Sequence, residues 1–491
     1  MSSASSHPPL PTAYMVEWGV IPIVEAGCVR VLAAGEPDPQ VMDDLRWAFG
    51  AEPTVERIPA EELANALARL EQGADETAAD LIASLGEPGD GAGDDAGEGD
   101  LAARIQEAPV IRLVNLILRE ALEARASDVH LETGRGGLEV RYRVDGVLVA
   151  APSPPPALAS AVIGRLKVMG EMDVAERRRP QDGRVRLRVE GRAVDVRLST
   201  LPTLHGESMV LRLLENEGGR QHDLSHLGMD AATRKQFDEL LARPHGVILA
   251  TGPTGSGKTT TLYAALEMIR TGREKVVTVE DPVEYALAGV AQVPVNRKAG
   301  VTFAVALRSI LRQDPDVILV GEMRDAETAE ICVQAALTGH LVLSTLHTND
   351  APGALIRLVD LSVEPYLVAS TVDGVLAQRL VRTVCPECAE EVAPPAWAAA
   401  EMAAAGFPAS RIRRGRGCAL CRGSGYRGRT GIYELLRVDD AVRSELLRRQ
   451  GAGSIRRAAV EGGMRPLRDD GWRQVAAGVT TPEEVLRVAQ A

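Results

Sequence analysis

The chain has 491 residues, room for about three domains at ~100–200 residues each, and its 45% hydrophobic but only 3% aromatic residues mean cores built mainly from Ala, Val and Leu. A formal net charge of −13 argues against a dedicated nucleic-acid binder, which carries a basic footprint. No apolar run approaches the ~18 residues of a membrane span, and Met1 to Pro11 is Ser- and Pro-rich without a charged-then-apolar signal pattern, so the expected location is the cytoplasm, with membrane association made through partners.

Residues 1–13 read as a disordered tail. From 14 to 85, short apolar runs (Val20 to Val24, Val29 to Leu32) alternate with helical patterns such as Ala60 to Leu70, which reads as a small α+β domain without a chemical motif. Residues 86–100, GEPGDGAGDDAGEGD, carry no large apolar side chain to offset the entropy of ordering, so 86–104 is taken as an acidic, Gly-rich linker. A helical pattern resumes near Leu101, with an interruption expected at Pro109, and runs to about Arg125; Val110, Leu113, Val114, Ile117 and Leu118 form one stripe. Alternating strands follow: Leu138 to Val144, a turn at Asp145-Gly146, then Val147 to Val149. Val185 to Val189 alternates strictly, turns at Glu190-Gly191 and returns from Ala193 to Leu198, with an arginine-rich outer face. Residues 105–215 thus read as a second α+β domain, and 216–240 as a second linker. Without interleaved aromatics, the arginines of 177–188 read as a solvated or intersubunit face, and no nucleic-acid partner is expected.

From Pro244 the pattern changes to continuous apolar strands (Val247 to Ala250, Val276 to Val279, Val317 to Val320, Leu341 to Ser344) separated by helices, which implies a parallel sheet covered on both faces. Gly252-Pro253-Thr254-Gly255-Ser256-Gly257-Lys258-Thr259 fits the phosphate-binding loop G-x-x-x-x-G-K-[ST] between a strand and a helix. Its glycines let backbone N–H groups converge on phosphate at a helix N-terminus. Lys258 should neutralise the β- and γ-phosphates of ATP and the Thr259 hydroxyl should hold Mg²⁺; Thr260 is grouped with the nucleotide-binding set. Hydrolysis also needs a positioned water. Glu322, ending the strand Ile318 to Gly321, is the first choice, on a strand expected beside the P-loop strand if the sheet is RecA-like. Glu280 ends another buried strand, and ligand chemistry collects at such C-terminal strand ends. His340 and His347 flank the strand Leu341 to Leu346, and His347 is the candidate γ-phosphate sensor. Four of six cysteines form Cys385-x-x-Cys388 and Cys418-x-x-Cys421, a closed four-thiolate signature for structural Zn²⁺; Cys28 and Cys332 read as buried small apolar residues. The fold class is therefore α/β: a P-loop ATPase domain over 241–491 with a parallel-rich, RecA-like sheet, carrying a zinc-binding insertion at about 382–430 and preceded by two smaller α+β domains.

The runs Leu311 to Asp316 (LRQDPD), Arg324 to Ala329 (RDAETA), Thr338-Gly339-His340 and Ser344 to Ala351 (STLHTNDA) resemble the secretion ATPase superfamily over about residues 105–491. Within it the chain is similar to the type II secretion system ATPases, the E-component group, whose near relatives are pilus-assembly ATPases. Overall length, one short N-terminal domain and the texture of Asp223 to Gly246 favour secretion. The resemblance implies that Gly252 to Thr259 is the Walker A loop, Glu280 to Glu284 an aspartate box, Gly321-Glu322 the Walker B box and Gly339 to His347 a histidine box. It further implies a homohexamer in which Arg197 and Arg212 of the 105–215 domain, and the pair Arg308 and Arg312, reach the phosphates. Implied partners are the cytoplasmic region of a bitopic inner-membrane protein, docked by the N-terminal domain, and a polytopic inner-membrane platform protein. Arg179 departs from the apolar residue often found there. The leading reading is a mechanoenzyme driving pseudopilus assembly. The alternatives are a type IV pilus-assembly ATPase, a nucleotide-gated scaffold with little turnover, and a nucleic-acid motor on the same fold.

Overall fold

Alternation of buried and exposed side chains sets the architecture of the computed structural model, which describes residues 14–15, 18–25, 28–49, 52–60, 62–64, 77–85, 105, 107–189, 192–215 and 224–489. The proposed tail at 1–13, the acidic linker at 86–104, most of the helical pattern at 60–70 and the side chain of Cys28 lie outside the described residues. The chain divides into two units, 1–218 and 219–491. Among the described residues no helix is long and apolar enough to cross a membrane.

In the first unit, β1 (Val20–Glu25), β2 (Cys28–Ala33) and β3 (Pro53–Arg57) form a mixed three-stranded sheet. Helix α1 (Pro39–Phe49) buries Val41 and Leu45 with Val20, Val29 and Val31. Helix α2 (Ala78–Leu85) falls in the span assigned by sequence to this domain, but its packing differs: Ala78 and Leu81 join the core under α3 (Ala108–Glu123), and the Ala78 N–H donates to Glu120 at 2.6 Å. Pro109, expected to interrupt a helix, lies in the first turn of α3, where its missing N–H costs nothing.

A six-stranded antiparallel sheet follows: β4 (Ala126–Gly134), β5 (Gly137–Val144), β6 (Val147–Ala150), β7 (Gln181–Val189), β8 (Arg192–Thr203) and β9 (Gly206–Glu215), in the order β6-β5-β4-β9-β8-β7. The β5–β6 turn has positive φ at both Asp145 and Gly146, 49° and 84°, the handedness that matches strand twist. α3 and α4 (Ala159–Met169) cover one face, burying Leu113, Ile117, Val162 and Leu166 with Val129, Val140, Leu198 and Leu211. On the opposite face the registers align Arg184, Arg197, Arg212, Asp128 and Arg143 in a transverse row over five strands.

The second unit holds a seven-stranded sheet made of β10 (Gly246–Thr251), β11 (Val276–Glu280), β12 (Ala291–Pro294), β13 (Val317–Val320), β14 (Leu341–Leu346), β15 (Val372–Val384) and β18 (Tyr426–Arg437), in the order β12-β11-β13-β14-β10-β15-β18. Every pairing is parallel except β15 with β18. Both faces are covered. Val247 and Leu249 of β10 pack toward α7 (Phe303–Ile310), α8 (Ala326–Leu337) and α9 (Ala351–Asp360). Ile248 and Ala250 pack toward α5 (Ala231–Leu241) and α6 (Lys258–Ile269). The short pair β16 (Ala389–Val392) and β17 (Ile412–Gly415) carries the cysteine turns.

Two sequence expectations are corrected here. β13, which leads to Glu322, does not lie beside the P-loop strand; β14 stands between them. The linker assigned to 216–240 is in part core. Asp230 caps α5 by accepting from the Ala232 and Thr233 N–H groups, and Phe237, Leu240 and Leu241 are buried at i, i+3, i+4 spacing. Phe237 is 0% exposed, so Phe237→Ala should destabilise this unit by about 3–5 kcal/mol. A thermal melt of the variant measures it; a loss below ~1 kcal/mol would place α5 outside the core.

Candidate nucleotide-binding and metal sites

The strand β10 delivers the loop 252–257 to the N-terminus of α6. At Gly252 (φ 148°) a Cβ would fall 2.6 Å from the Gln378 carbonyl and 2.7 Å from Ser256 Oγ; at Gly257 (φ 88°) it would fall 2.7 Å from Gln378 Nε2. Both positions need glycine for conformation and for space. Pro253, Thr254 and Gly255 are exposed, as are Thr259 and Thr260 in the first turn of the helix. Lys258 Nζ donates to the carbonyls of Gly252 at 2.7 Å and Pro253 at 3.0 Å, folded back over its own loop. Burial, then the nearby Arg379 charge, pulls its pKa down to about 8. Ser256 Oγ is buried and, among the described residues, has no hydrogen-bond partner. An orphaned hydroxyl, a desolvated lysine and the amide ends of a 12-residue helix fit an anionic phosphate chain.

Glu322 and His347 lie at the same end of the sheet, just beyond β13 and β14. The Ser344 and Thr345 hydroxyls donate to the Val320 and Gly321 carbonyls, each at 2.7 Å, clamping the two strand ends together. Glu322 is 9% exposed, its Oε2 lies 2.6 Å from Arg324 Nε and 3.7 Å from His347 Nε2. Burial and the Lys258 charge hold the His347 imidazole below its ordinary pKa. His340 is at the opposite end of β14, where Nδ1 lies 2.8 Å from the Ala335 carbonyl, a structural contact remote from this edge.

Glu280 is 4% exposed and accepts from the Tyr263 hydroxyl, from Thr278 Oγ1 at 2.6 Å and from Gln292 Nε2 at 3.2 Å. Its carboxylate is already engaged on both oxygens, which makes Glu322 the more open of the two acids. Arg308 pairs with Glu327 of α8, and Arg312 donates back to the Arg308 carbonyl at 2.8 Å; both are exposed. Arg197 and Arg212 belong to the first unit, on β8 and β9, directly opposite one another in register. The sequence reading missed Gln378 and Arg379. Gln378 is 2% exposed and accepts from Thr261 Oγ1 at 2.7 Å, and the buried Arg379 guanidinium donates to the Gln378 and Asn349 carbonyls. The signal was two adjacent polar residues inside the otherwise apolar run Val375 to Val381.

Cys385, Cys388, Cys418 and Cys421 bring their sulfurs within 4.8 Å of one another, with Sγ···Sγ distances of 3.9, 3.8 and 3.6 Å for 385–418, 388–421 and 418–421. A tetrahedron with Zn–S bonds of ≈ 2.3 Å has an edge of about 3.8 Å, so the set fits zinc. Backbone N–H groups of Gly417, Cys418 and Gly425 point at the Cys388 and Cys421 sulfurs at 3.1–3.3 Å. Burial opposes ionisation of Cys421, yet the Cys418 and Gly425 N–H groups outweigh it and hold that thiol down at about 6. Cys332 is fully buried, and desolvation pushes its thiol far up, as expected of an inert core residue.

The profile of the family described as Type II/IV secretion system protein matches residues 103–487. Type II secretion system protein E of Pseudomonas aeruginosa is 55% identical over 394 residues, covering 80% of this chain and 78% of its own. The Aeromonas hydrophila protein of the same description is 46% identical over 495 residues, covering 100% and 98%. Among solved structures, that of the pilus retraction motor PilT with bound ADP superposes with a TM-score of 0.51 at 26% identity, covering 77% of this chain and 97% of that one.

Two outcomes test the sites. Metal analysis of the purified protein should find about one zinc per chain, absent from Cys421→Ser; a folded, metal-free wild type would refute the centre. Nucleotide affinity should hold below pH 8 and fall about tenfold per pH unit above it, because Lys258, with a pKa near 8, must first take up a proton to meet phosphate. Titration with a fluorescent ATP analogue across pH 6.5–9.5 reads this out (that range spans the lysine's pKa by about one and a half units each way); an affinity flat through pH 9 would exclude Lys258 as the phosphate cation.

Proposed function

The chain belongs to the Type II/IV secretion system protein family, and from that premise we propose that it is a cytoplasmic, hexameric ATPase that powers type II protein secretion through pseudopilus assembly. The observation that carries the reading is the convergence of an intact phosphate loop, a buried lysine and the buried carboxylate of Glu322 at one edge of a parallel sheet. That edge is where open α/β sheets place their ligand chemistry.

In this reading the N–H groups of 254–259 cradle the α- and β-phosphates, with Ser256 supplying its orphaned hydroxyl. Lys258 leaves the carbonyls of Gly252 and Pro253 for the β- and γ-phosphates. Thr259 would hold Mg²⁺, which would supply further positive charge to the phosphate chain. Glu322 swings from Arg324 to orient water and take its proton, while Glu280 fixes the end of β11 from its closed hydrogen-bond set. His347, neutral at pH 7, donates toward the γ-phosphate. Arg197, Arg212, Arg308 and Arg312 supply cations to the developing charge, a role with a clear electrostatic rationale. The zinc centre is structural, since four thiolates leave no open coordination position. Docking of the N-terminal domain on the cytoplasmic region of a bitopic inner-membrane protein, and force delivery to a polytopic platform protein, complete the proposal. High identity to relatives described as type II secretion proteins supports secretion over pilus assembly.

The nucleotide-gated scaffold is the second reading, favoured by one observation: the Arg324–Glu322 ion pair at 2.6 Å engages the acid that hydrolysis needs. Phosphate release separates the two, measured for wild type and Glu322→Gln, alone and fused to a hexamer-forming scaffold. Turnover that rises on enforced assembly, with Glu322→Gln binding ATP at least 100-fold slower to hydrolyse it (on the order of removing one transition-state interaction), is expected. Binding without hydrolysis by both proteins in both states would replace the motor with the scaffold.

A further inference from the structure

The transverse row on the first unit's sheet contains four guanidinium groups and one carboxylate, Asp128, between Arg212 and Arg143. Asp128 is only 7% exposed, whereas the Arg212 side chain is 55% exposed. Asp128 Oδ1 accepts from Arg212 Nε at 3.1 Å. Its Oδ2 accepts from Ser127 Oγ at 2.7 Å and lies 3.9 Å from Arg143 Nε. A carboxylate engaged on both oxygens and embedded in a sheet is a fixed point, while an exposed arginine is a flexible stem. Gripping that stem at Nε, the inner edge of a rigid five-donor fork, sets the plane in which the outer nitrogens are presented. Arg197 has a different setting: its neighbours in the row are Arg184 and Arg212, both cations.

We propose that Asp128 is a positioning residue for ATP hydrolysis, acting through Arg212: it holds the guanidinium in the orientation from which it meets the phosphate of the nucleotide. The inference rests on the reading of Arg212 as a phosphate-stabilising cation. Orientation matters more to turnover than to binding, because a misplaced group forfeits transition-state contacts first.

The test is steady-state ATP turnover by the full-length chain, with thermal melts alongside, for wild type, Asp128→Asn, Ser127→Ala, Arg212→Ala and the double variants. Asp128→Asn should lower kcat about tenfold with KM for ATP within about twofold. Asp128→Glu, which keeps the charge, should fall between. Ser127→Ala, which frees one carboxylate oxygen without removing charge, should give a smaller kcat loss and serves where Asp128→Asn does not fold. In the Arg212→Ala background neither change should add a further loss, because residues acting through one partner are non-additive. Losses that multiply in the double variants, or a wild-type kcat for Asp128→Asn and Ser127→Ala while Arg212→Ala is impaired, would overturn the positioning role. A wild-type kcat for Arg212→Ala would instead overturn the assignment of Arg212 on which the inference stands.

Discussion

The nucleotide loop and β15 approach so closely that two positions of the loop admit no side chain. At Gly252 and Gly257 the space a Cβ would take is held by the carbonyl and the amide nitrogen of Gln378. Everything at the site follows from this contact. It fixes β15 as the neighbour of β10, turns the chain at Gly257 so that Lys258 opens α6, and sets the buried Arg379 charge near Lys258. Thr251 closes the other side: its hydroxyl lies 2.7 Å from that of Thr348, joining the P-loop strand to the segment after β14. The loop is thus seated against β15 on one flank, and the strand that leads into it is tied to the segment after β14 on the other, which is how a glycine-rich segment is held ready for an anion before one arrives.

Strand order does the rest. β13, β14 and β10 end side by side, so Glu322, His347 and the phosphate loop are delivered from three different stretches of sequence to one edge. The Ser344 and Thr345 hydroxyls lock the first two ends in register, and the acid is thereby placed by the sheet and not by its own loop. Glu280, on the next strand out, has the same address but a different environment. Tyr263, Thr278 and Gln292 engage both of its oxygens, whereas Glu322, also buried, meets Arg324 and His347.

What the sequence disclosed and what it hid divide along physical lines. The phosphate loop and the paired cysteines were legible because their chemistry needs fixed local spacing, and the parallel sheet because strands buried on both faces read as continuous apolar runs. Strand order was not legible, since the insertion of β14 between β13 and β10 is decided by packing far along the chain. Helix α5 was lost in a segment whose polar beginning masked Phe237, Leu240 and Leu241, although their spacing is helical. Gln378 and Arg379 escaped because no short motif marks them; their importance comes from a backbone approach that only the fold creates. Pro109 was misread in the other direction, as a breaker where it is a starter.

β15 spans 13 residues, Val372 to Val384, about 43 Å at ~3.3 Å per residue. Gln378 lies near its middle, and Cys385 comes immediately after its end, in the thiolate cluster. β10 pairs with β15 only as far as Ala377, so from Gln378 to Val384 the strand is held by β18 alone, and that antiparallel ribbon joins the residue on which the phosphate loop leans to the thiolate cluster. The nucleotide loop and the cysteine cluster therefore sit at two points of one two-stranded ribbon, joined by backbone pairing on the β18 side. A metal bound by the four thiols would stiffen the far end of that ribbon, and so steady the floor of the phosphate loop without touching what the loop binds.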